Sequence, residues 1–401
     1  MTDISTQLIH HPYRAPDTFD APQPGVFKAS TVFFPDVAAL HDRDWKHKTG
    51  YTYGLHGTPT TFLLEERLAT LEGGLQCLLA PSGLAAIATV SLSLLKSGDE
   101  VLLPDNAYGP NKSLAEAELA AYGIRWTLYD PMRPDDLAAK LSADTRLVWL
   151  EAPGSVTMEF PDLPALVRLC RAQGVTCVLD NTWGAGLAFD PFQLDGDGLA
   201  VDASVHALTK YPSGGGDVLM GSIVTRDEAL HMRLKMTHMR LGLGVGANDA
   251  ELLLRSLSTV ALRYDAHDAA ARTLANWCAG RPEIATVLHP ALDGAPGHAH
   301  WKALCGARDR AAGLFSVVFD ARHSRAQVHR FCDALRLFRI GYSWGGPISL
   351  VVPYDIRTMR DARVSDWPHD GTLVRFSIGL EGASDLQADL EQALATLAVP
   401  A

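Results

Sequence analysis

The sequence predicts an α/β protein, with a mostly parallel sheet in a large domain and a smaller C-terminal α/β domain behind it. Three observations carry that expectation. Short apolar runs alternate with helix-spaced segments through the first two thirds of the chain, the pattern of strands joined by crossover helices. At 401 residues the chain exceeds one ordinary domain. Its composition, 47% apolar and 20% charged, suits a large buried core. The expected division is an arm over 1–57, a large domain over 58–254 and a C-terminal domain over 255–401.

Residues 1–57 lack strong periodicity, and Pro12, Pro16, Pro22 and Pro24 interrupt regular structure. They read as an extended arm of a length that suits contact with a neighbouring subunit. Thr60–Leu71 has helix spacing, with Phe62, Leu63, Leu64, Leu68 and Leu71 apolar, and Gly73-Gly74 ends it. Strands are expected at Cys77–Ala80, Glu100–Leu103, Ile124–Tyr129, Leu147–Leu150, Val175–Leu179 and Ala200–Val205. Helices are expected at Leu84–Leu95, Asn111–Tyr122, Asp135–Leu141 and Leu163–Gln173. Gly242, Gly244 and Gly246 precede a leucine-rich helix at Ala250–Val260. Beyond it, Leu314–Asp320 and Leu373–Ile378 read as strands, Ala326–Leu335 and Asp385–Leu397 as helices, and His289–His300 as a Pro/Gly-rich loop. That region reads as an α/β sandwich rather than a second doubly wound sheet.

Two residues point to chemistry. Asp180 closes the apolar run Val175–Leu179, at the carboxyl end of a buried strand, where open α/β sheets bind ligands. Lys210 follows the next strand-like run within an uncharged segment, Ser204–Gly216. A desolvated lysine can form an imine with an aldehyde, and a facing aspartate can hold a ring nitrogen protonated. That pair is what pyridoxal 5′-phosphate (PLP) chemistry needs. Pro81-Ser82-Gly83, between a strand and a helix start, adds an anion cradle of free N–H groups.

Charge and composition exclude other classes. A formal net charge of −11 disfavours sequence-independent nucleic-acid binding. No apolar stretch is long enough to span a bilayer, and the N-terminus has no secretory pattern, so no membrane partner is expected. The six cysteines form no Cys-x-x-Cys pair and read as buried free thiols in a reducing cytoplasm. His298 and His300 read as loop residues open to solvent, and no metal site is expected.

Several stretches resemble the Cys/Met-metabolism PLP enzymes, within fold type I, the PLP-dependent transferase-like fold. They are Tyr51-Thr52-Tyr53-Gly54, Leu71-Glu72-Gly73-Gly74, Asn106-Ala107-Tyr108, Glu151 to Glu159, Asp180-Asn181-Thr182-Trp183, Thr209-Lys210-Tyr211, Tyr342-Ser343-Trp344-Gly345-Gly346 and Arg375 to Glu381. Two of these select the β-eliminating branch. Pro153-Gly154-Ser155 stands where other branches carry Asn-Pro, and Trp344 where γ-acting relatives tend to carry leucine.

The resemblance implies roles. Lys210 would bind the cofactor aldehyde and act as general base, Asp180 would pair with the pyridine nitrogen, Tyr108 would stack on the ring, and Lys210 or Tyr108 would reprotonate the departing thiolate. The N–H groups of Gly83 and Leu84 and the Thr209 hydroxyl would hold the phosphate, and Tyr53 would reach a neighbouring subunit's phosphate. Arg375 would clamp the substrate α-carboxylate, with Ser343 and Trp344 lining the same pocket. Strand alternation independently sets Arg375 and Ser377 opposite Val374, Phe376 and Ile378. The implied protein is a cytoplasmic homotetramer that cleaves a sulfur amino acid, L-cystathionine, to homocysteine, pyruvate and ammonia. Cysteine or cystine desulfhydration, methionine γ-cleavage, cystathionine γ-synthesis and a cofactor-binding regulator without turnover stand as alternatives. Three places depart from the family. Leu55 stands where an arginine is usual, Ala207 where serine is frequent, and Gly214-Gly215-Gly216-Asp217 replaces a Gly-His-Ser-Asp run. Weaker phosphate anchoring is expected unless His56 or another cation compensates.

Overall fold

The structure is a computed structural model that describes residues 4–10, 13 and 20–398. Pro12 and Pro16 of the expected arm lie outside the described residues.

The larger sheet has seven strands: β1 (Gln76–Ala80), β2 (Glu100–Pro104), β3 (Arg125–Tyr129), β4 (Thr145–Glu151), β5 (Thr176–Asp180), β6 (Ala203–His206) and β7 (Gly221–Thr225). Their spatial order is β1-β7-β6-β5-β4-β2-β3. Neighbours run parallel except at β7, which is antiparallel to both β1 and β6. β7 is absent from the sequence expectation, and β6 starts three residues later than expected. The Asp202 carboxylate accepts the Cys177 N–H at 2.8 Å, so a side chain takes the place of a ladder bond there.

In the arm, α1 (Ile4–Ile9) and α2 (Val37–His41) are short helices where the sequence reads as extended. α3 (Pro59–Glu72) is set at its start by a Thr58/Thr61 capping box with proline in the first turn. Gly73 ends it in the left-handed conformation, φ 77°. α4 (Gly83–Leu94) starts on Ser82, whose hydroxyl accepts the Ala85 N–H at 3.0 Å. α5 (Gly109–Leu114) runs into a π-helical turn at Ala115–Leu119. α6 (Pro134–Lys140) and α7 (Leu163–Ala172) complete the crossovers. α8 (Glu228–Leu241), α9 (Ala247–Leu257) and the long α10 (Val260–Ala279) lead out of the sheet.

The second sheet has five strands: β8 (Ile284–Leu288), β9 (Leu314–Phe319), β10 (Arg339–Ile340), β11 (Leu350–Tyr354) and β12 (Leu373–Ser377). Its order is β10-β11-β12-β9-β8, antiparallel except for β10 with β11. α10, α12 (Arg325–Ala334) and α13 (Ala383–Leu394) cover one face, sharing a core with Phe315, Phe319, Val374, Phe376 and Ile378. α11 (His298–Cys305) corrects one expectation. His298 and His300 stand in the first turn of a helix, not in a solvated loop. His298 Nδ1 meets the Pro290 carbonyl at 2.9 Å and its Nε2 meets Asp293 at 3.1 Å. Gly297, φ 80°, supplies the reversal that starts α11 so soon after Pro296. Among the described residues, no helix is long and apolar enough to cross a membrane, and no group of three ligating side chains could hold a metal.

Candidate active site

A cleft of about 140 Å³ opens at the carboxyl ends of β4, β5 and β6. It brings together Lys210, Asp180, Tyr108, Gly83, Leu84, Thr209 and Trp344, seven residues from five separate places in the sequence. Among the described residues, Ser343, Arg375 and Tyr53 do not line it. Ser343 adjoins Trp344, and the Arg375 guanidinium packs over that ring, 5.3 Å from its centre. Tyr53 is 45% exposed in the arm, in a bridge with Thr31.

Asp180 is the last residue of β5, and its register partner on β4 is Glu151. Thr182 fixes it, the backbone N–H and the hydroxyl both donating to Oδ1 at 3.1 and 2.6 Å. The Thr182 hydroxyl in turn accepts the Ala207 N–H at 3.0 Å, which ties the β5 and β6 ends together. Burial pushes the Asp180 carboxyl above its ordinary value, against the pull of Thr182, His206 and Lys210. Burial likewise pushes Lys210 down, opposed by Asp180 and aided by the cationic Arg375. In both groups burial outweighs the opposite charge that the other supplies.

The lysine backbone is itself packed. Gly345, φ 77°, lies so close that a Cβ would stand 2.8 Å from the Tyr211 nitrogen, and Ser343 adopts φ 105° just before it. This turn presses the Trp344 ring to 4.8 Å from Lys210 Nζ. The Tyr211 hydroxyl is buried and accepts the Gly313 N–H at 2.9 Å, joining the lysine segment to β9's approach.

At the other end of the cleft α4 points its N-terminus inward. The first helical N–H groups, of Gly83 and Leu84, have no intrahelical partner by construction. A Cβ on Gly83 would fall 2.6 Å from the Ala207 Cβ, so both positions must be small. Thr209 Oγ1 bridges to the Met220 backbone at 3.3 and 3.4 Å. Leu55 and His56 lie elsewhere, lining a second cavity with Glu65, Lys235 and His238. His56 stacks on Trp45 at 4.9 Å and contacts Thr52 at 2.9 Å, so it supplies no cation to its own chain's cleft.

Sequence reasoning missed three contributors. Glu151, in the cleft wall, accepts the Tyr108 N–H at 2.7 Å and so fixes that aromatic residue. Burial, then the nearby Asp180, pushes its carboxyl well above the ordinary carboxylate range. Beneath the strands, Glu72 accepts from His206, Asn181 and Ser204 at 2.8–2.9 Å. Arg360 joins Thr157 at 2.6 Å and also Glu159, locking the 355–370 segment to the cleft floor. The motif residues Glu72, Glu151 and Asn181 were visible in sequence, but nothing local showed what they touch.

The cleft fits PLP by its own features. An acid that burial leaves short of a cation stands at one end, a close-packed helix N-terminus at the other, and Tyr108 and a desolvated lysine between. The Cys/Met metabolism PLP-dependent enzyme family model matches residues 5–395. The chain belongs to that family. PLP is its cofactor. Among Cys/Met-metabolism relatives, a putative cystathionine beta-lyase from Rhizobium johnstonii is 40% identical, covering 98% of this chain and 96% of that one. A cystathionine beta-lyase from Bordetella avium is 41% identical over 94% and 93%. The crystal structure of metB from Corynebacterium glutamicum superposes with a TM-score of 0.85 at 31% identity, covering 99% and 98%. This family's fold, a mostly parallel sheet of the fold type I kind, is the one described above.

Proposed function

We propose that the protein is a PLP-dependent carbon–sulfur β-lyase that cleaves L-cystathionine to homocysteine, pyruvate and ammonia. The observation that carries this reading is Arg375. It is 5% exposed and has no carboxylate within ion-pair distance among the described residues, yet it stands one ring away from Lys210. A buried, unmatched guanidinium beside a cofactor lysine suits an amino-acid carboxylate. The two relatives named cystathionine beta-lyase favour β-cleavage, as does Trp344.

PLP, when bound, supplies an aldehyde for the substrate amine and a ring that accepts the electron pair freed at the α-carbon. The chain's residues do the rest. Asp180 keeps a negative charge where the ring nitrogen would stand. Gly83, Leu84 and Thr209 offer donors to a phosphate, and Tyr108, held by Glu151, provides the stacking face. Arg375 orients the substrate by its carboxylate. Lys210, eased toward the neutral amine by burial, takes the α-proton and returns it to the departing thiolate. The residual 2-aminoacrylate hydrolyses to pyruvate and ammonia.

Ser343 shapes the turn that presents Trp344. Tyr53, exposed and outside its own cleft, is proposed to complete a neighbour's phosphate site in a homotetramer. Phe33 at 94% and Leu219 at 71% exposure are apolar surface suited to such burial. Domain limits at 57 and 254, and a cytoplasmic location, complete the proposal; all six cysteines are buried and unpaired. The deciding experiment measures pyruvate, thiol and 2-oxobutyrate from a panel of sulfur amino acids. Pyruvate with homocysteine from L-cystathionine is expected; 2-oxobutyrate as the main product would overturn β-cleavage.

A further inference from the structure

Arg375 is flanked by two rings, and one of them belongs to no motif in the sequence. The guanidinium carbon stands 5.3 Å from the centre of Trp344 and 5.3 Å from that of Tyr354. Trp344 lines the cleft, whereas Tyr354 lines a separate surface cavity with Arg325, Trp367 and His369. The register explains the second contact. Val352 on β11 pairs with Arg375 on β12, and Tyr354 lies two residues further along the same face. A diagonal neighbour at that spacing is within reach of an aromatic and a long side chain.

The alternatives for holding this cation are few. Among the described residues its one hydrogen bond to protein is a long one, 3.4 Å from Nη1 to the Ser155 carbonyl. No acid is within ion-pair distance among the described residues, although the group is 5% exposed. Ring faces attract a cation without neutralising it or occupying its in-plane N–H groups. Those donors therefore stay available to a carboxylate arriving in the guanidinium plane.

We infer that Tyr354 is a positioning residue for carboxylate recognition: its ring, together with that of Trp344, holds Arg375 by its face and keeps its donor edge unpaired. The inference rests on the reading of Arg375 as the substrate-carboxylate clamp. It assigns the work to the ring of Tyr354 and none to its hydroxyl.

The test compares holoenzyme of the wild type, Tyr354→Phe and Tyr354→Leu. Two probes are titrated by the absorbance change of the bound cofactor: L-alanine, and ethylamine, which is the same amine without the carboxylate. Tyr354→Leu is expected to bind L-alanine roughly two- to thirty-fold more weakly, the range of a cation–π contact, with ethylamine unchanged. In turnover, KM should rise by the same factor while kcat stays within about twofold. Tyr354→Phe should match the wild type on every measure. Equal weakening of both probes in Tyr354→Leu, unchanged L-alanine binding, or a Tyr354→Phe variant as impaired as the leucine one would overturn the inference. Since the probe comparison needs no lyase turnover, failure to cleave cystathionine would sink the proposed function and leave this test intact.

Discussion

The two sheets place charge by different geometry. In the larger one the chemistry collects along an edge: β4 ends on Glu151, β5 on Asp180, the lysine follows β6, and α4 begins just past β1. Parallel strands end together, so the groups that follow them converge. The smaller sheet is mostly antiparallel, and its strand ends alternate between two edges. Among the described residues its strands bury one charged side chain, Arg375, in the middle of β12. There the functional position is a face: Val374 and Phe376 point into the helix-covered core, and Arg375 points toward Trp344. An edge gathers several groups, while a face delivers one and must brace it.

Substitutions can break this contrast. The largest effect is expected from the edge. Lys210→Ala should cut pyruvate release by on the order of 10²–10⁴-fold or more, since it removes both the cofactor attachment and the general base. Borohydride reduction of the wild type followed by peptide mapping should find the cofactor on Lys210, and a label elsewhere would refute the assignment. Asp180→Asn comes next. It keeps the Thr182 bonds but removes the charge, and kcat should fall sharply with a changed pH titration of the cofactor absorbance. On the face, Arg375→Lys should act mainly on KM, raising it roughly 10- to 100-fold for loss of a charge-assisted bidentate contact. If Arg375→Lys instead lowers kcat with KM unchanged, the carboxylate role is wrong.

The edge was also the more legible half. A carboxylate ending an apolar run, a lysine in an uncharged segment and a glycine at a helix start can each be read from a few neighbouring residues. Asp180, Lys210 and Gly83 all meet in the cleft as expected. β7 escaped because its five residues, Gly221–Thr225, follow a glycine-rich stretch and carry no alternation. α8 and α10 escaped for another reason. Their charged and apolar residues are spread around the helix, and burial of His231, Lys235, His267 and Asp268 is decided by tertiary partners. The Glu72 network joins residues 109 to 134 positions apart, and Tyr354 reaches Arg375 only through strand register. Such contacts have no local signature. The domain-scale pattern was readable because a parallel sheet repeats one unit, whereas β8, β10 and β11 are short antiparallel pieces that borrow their stability from neighbours.

The phosphate end offers a smaller perturbation that tests the edge alone. Gly83→Ala would place a methyl 2.6 Å from the Ala207 Cβ, and neither neighbour is a flexible side-chain end. The expected result is weaker PLP retention on dialysis against a competing amine, with L-alanine affinity of the reloaded enzyme little changed. Undiminished holoenzyme after dialysis would argue that the cradle is looser than its packing implies.

The smallest effect concerns stability, and it divides between the two regions. His231 in α8 and His289 after β8 are buried, and burial depresses each imidazole to about 3. His289 Nδ1 accepts the Ala291 N–H at 3.2 Å, a bond that requires the unprotonated nitrogen. With the unfolded value near 6.5, the unfolded chain binds more protons than the folded one between about pH 3 and 6.5. Stability therefore rises with pH across that window, levels off above it, and is lost progressively as the solution is acidified. His231 lies on a helix that follows the larger sheet and His289 just after a strand of the smaller one, so His289→Asn should flatten the acid limb for unfolding of the smaller sheet's surroundings while leaving the larger one's slope in place. Thermal unfolding followed at several pH values, by Trp fluorescence and cofactor absorbance in parallel, reads the two slopes. Equal flattening in both signals would mean that the two sheets unfold as one cooperative unit, and that their contrast is one of chemistry alone.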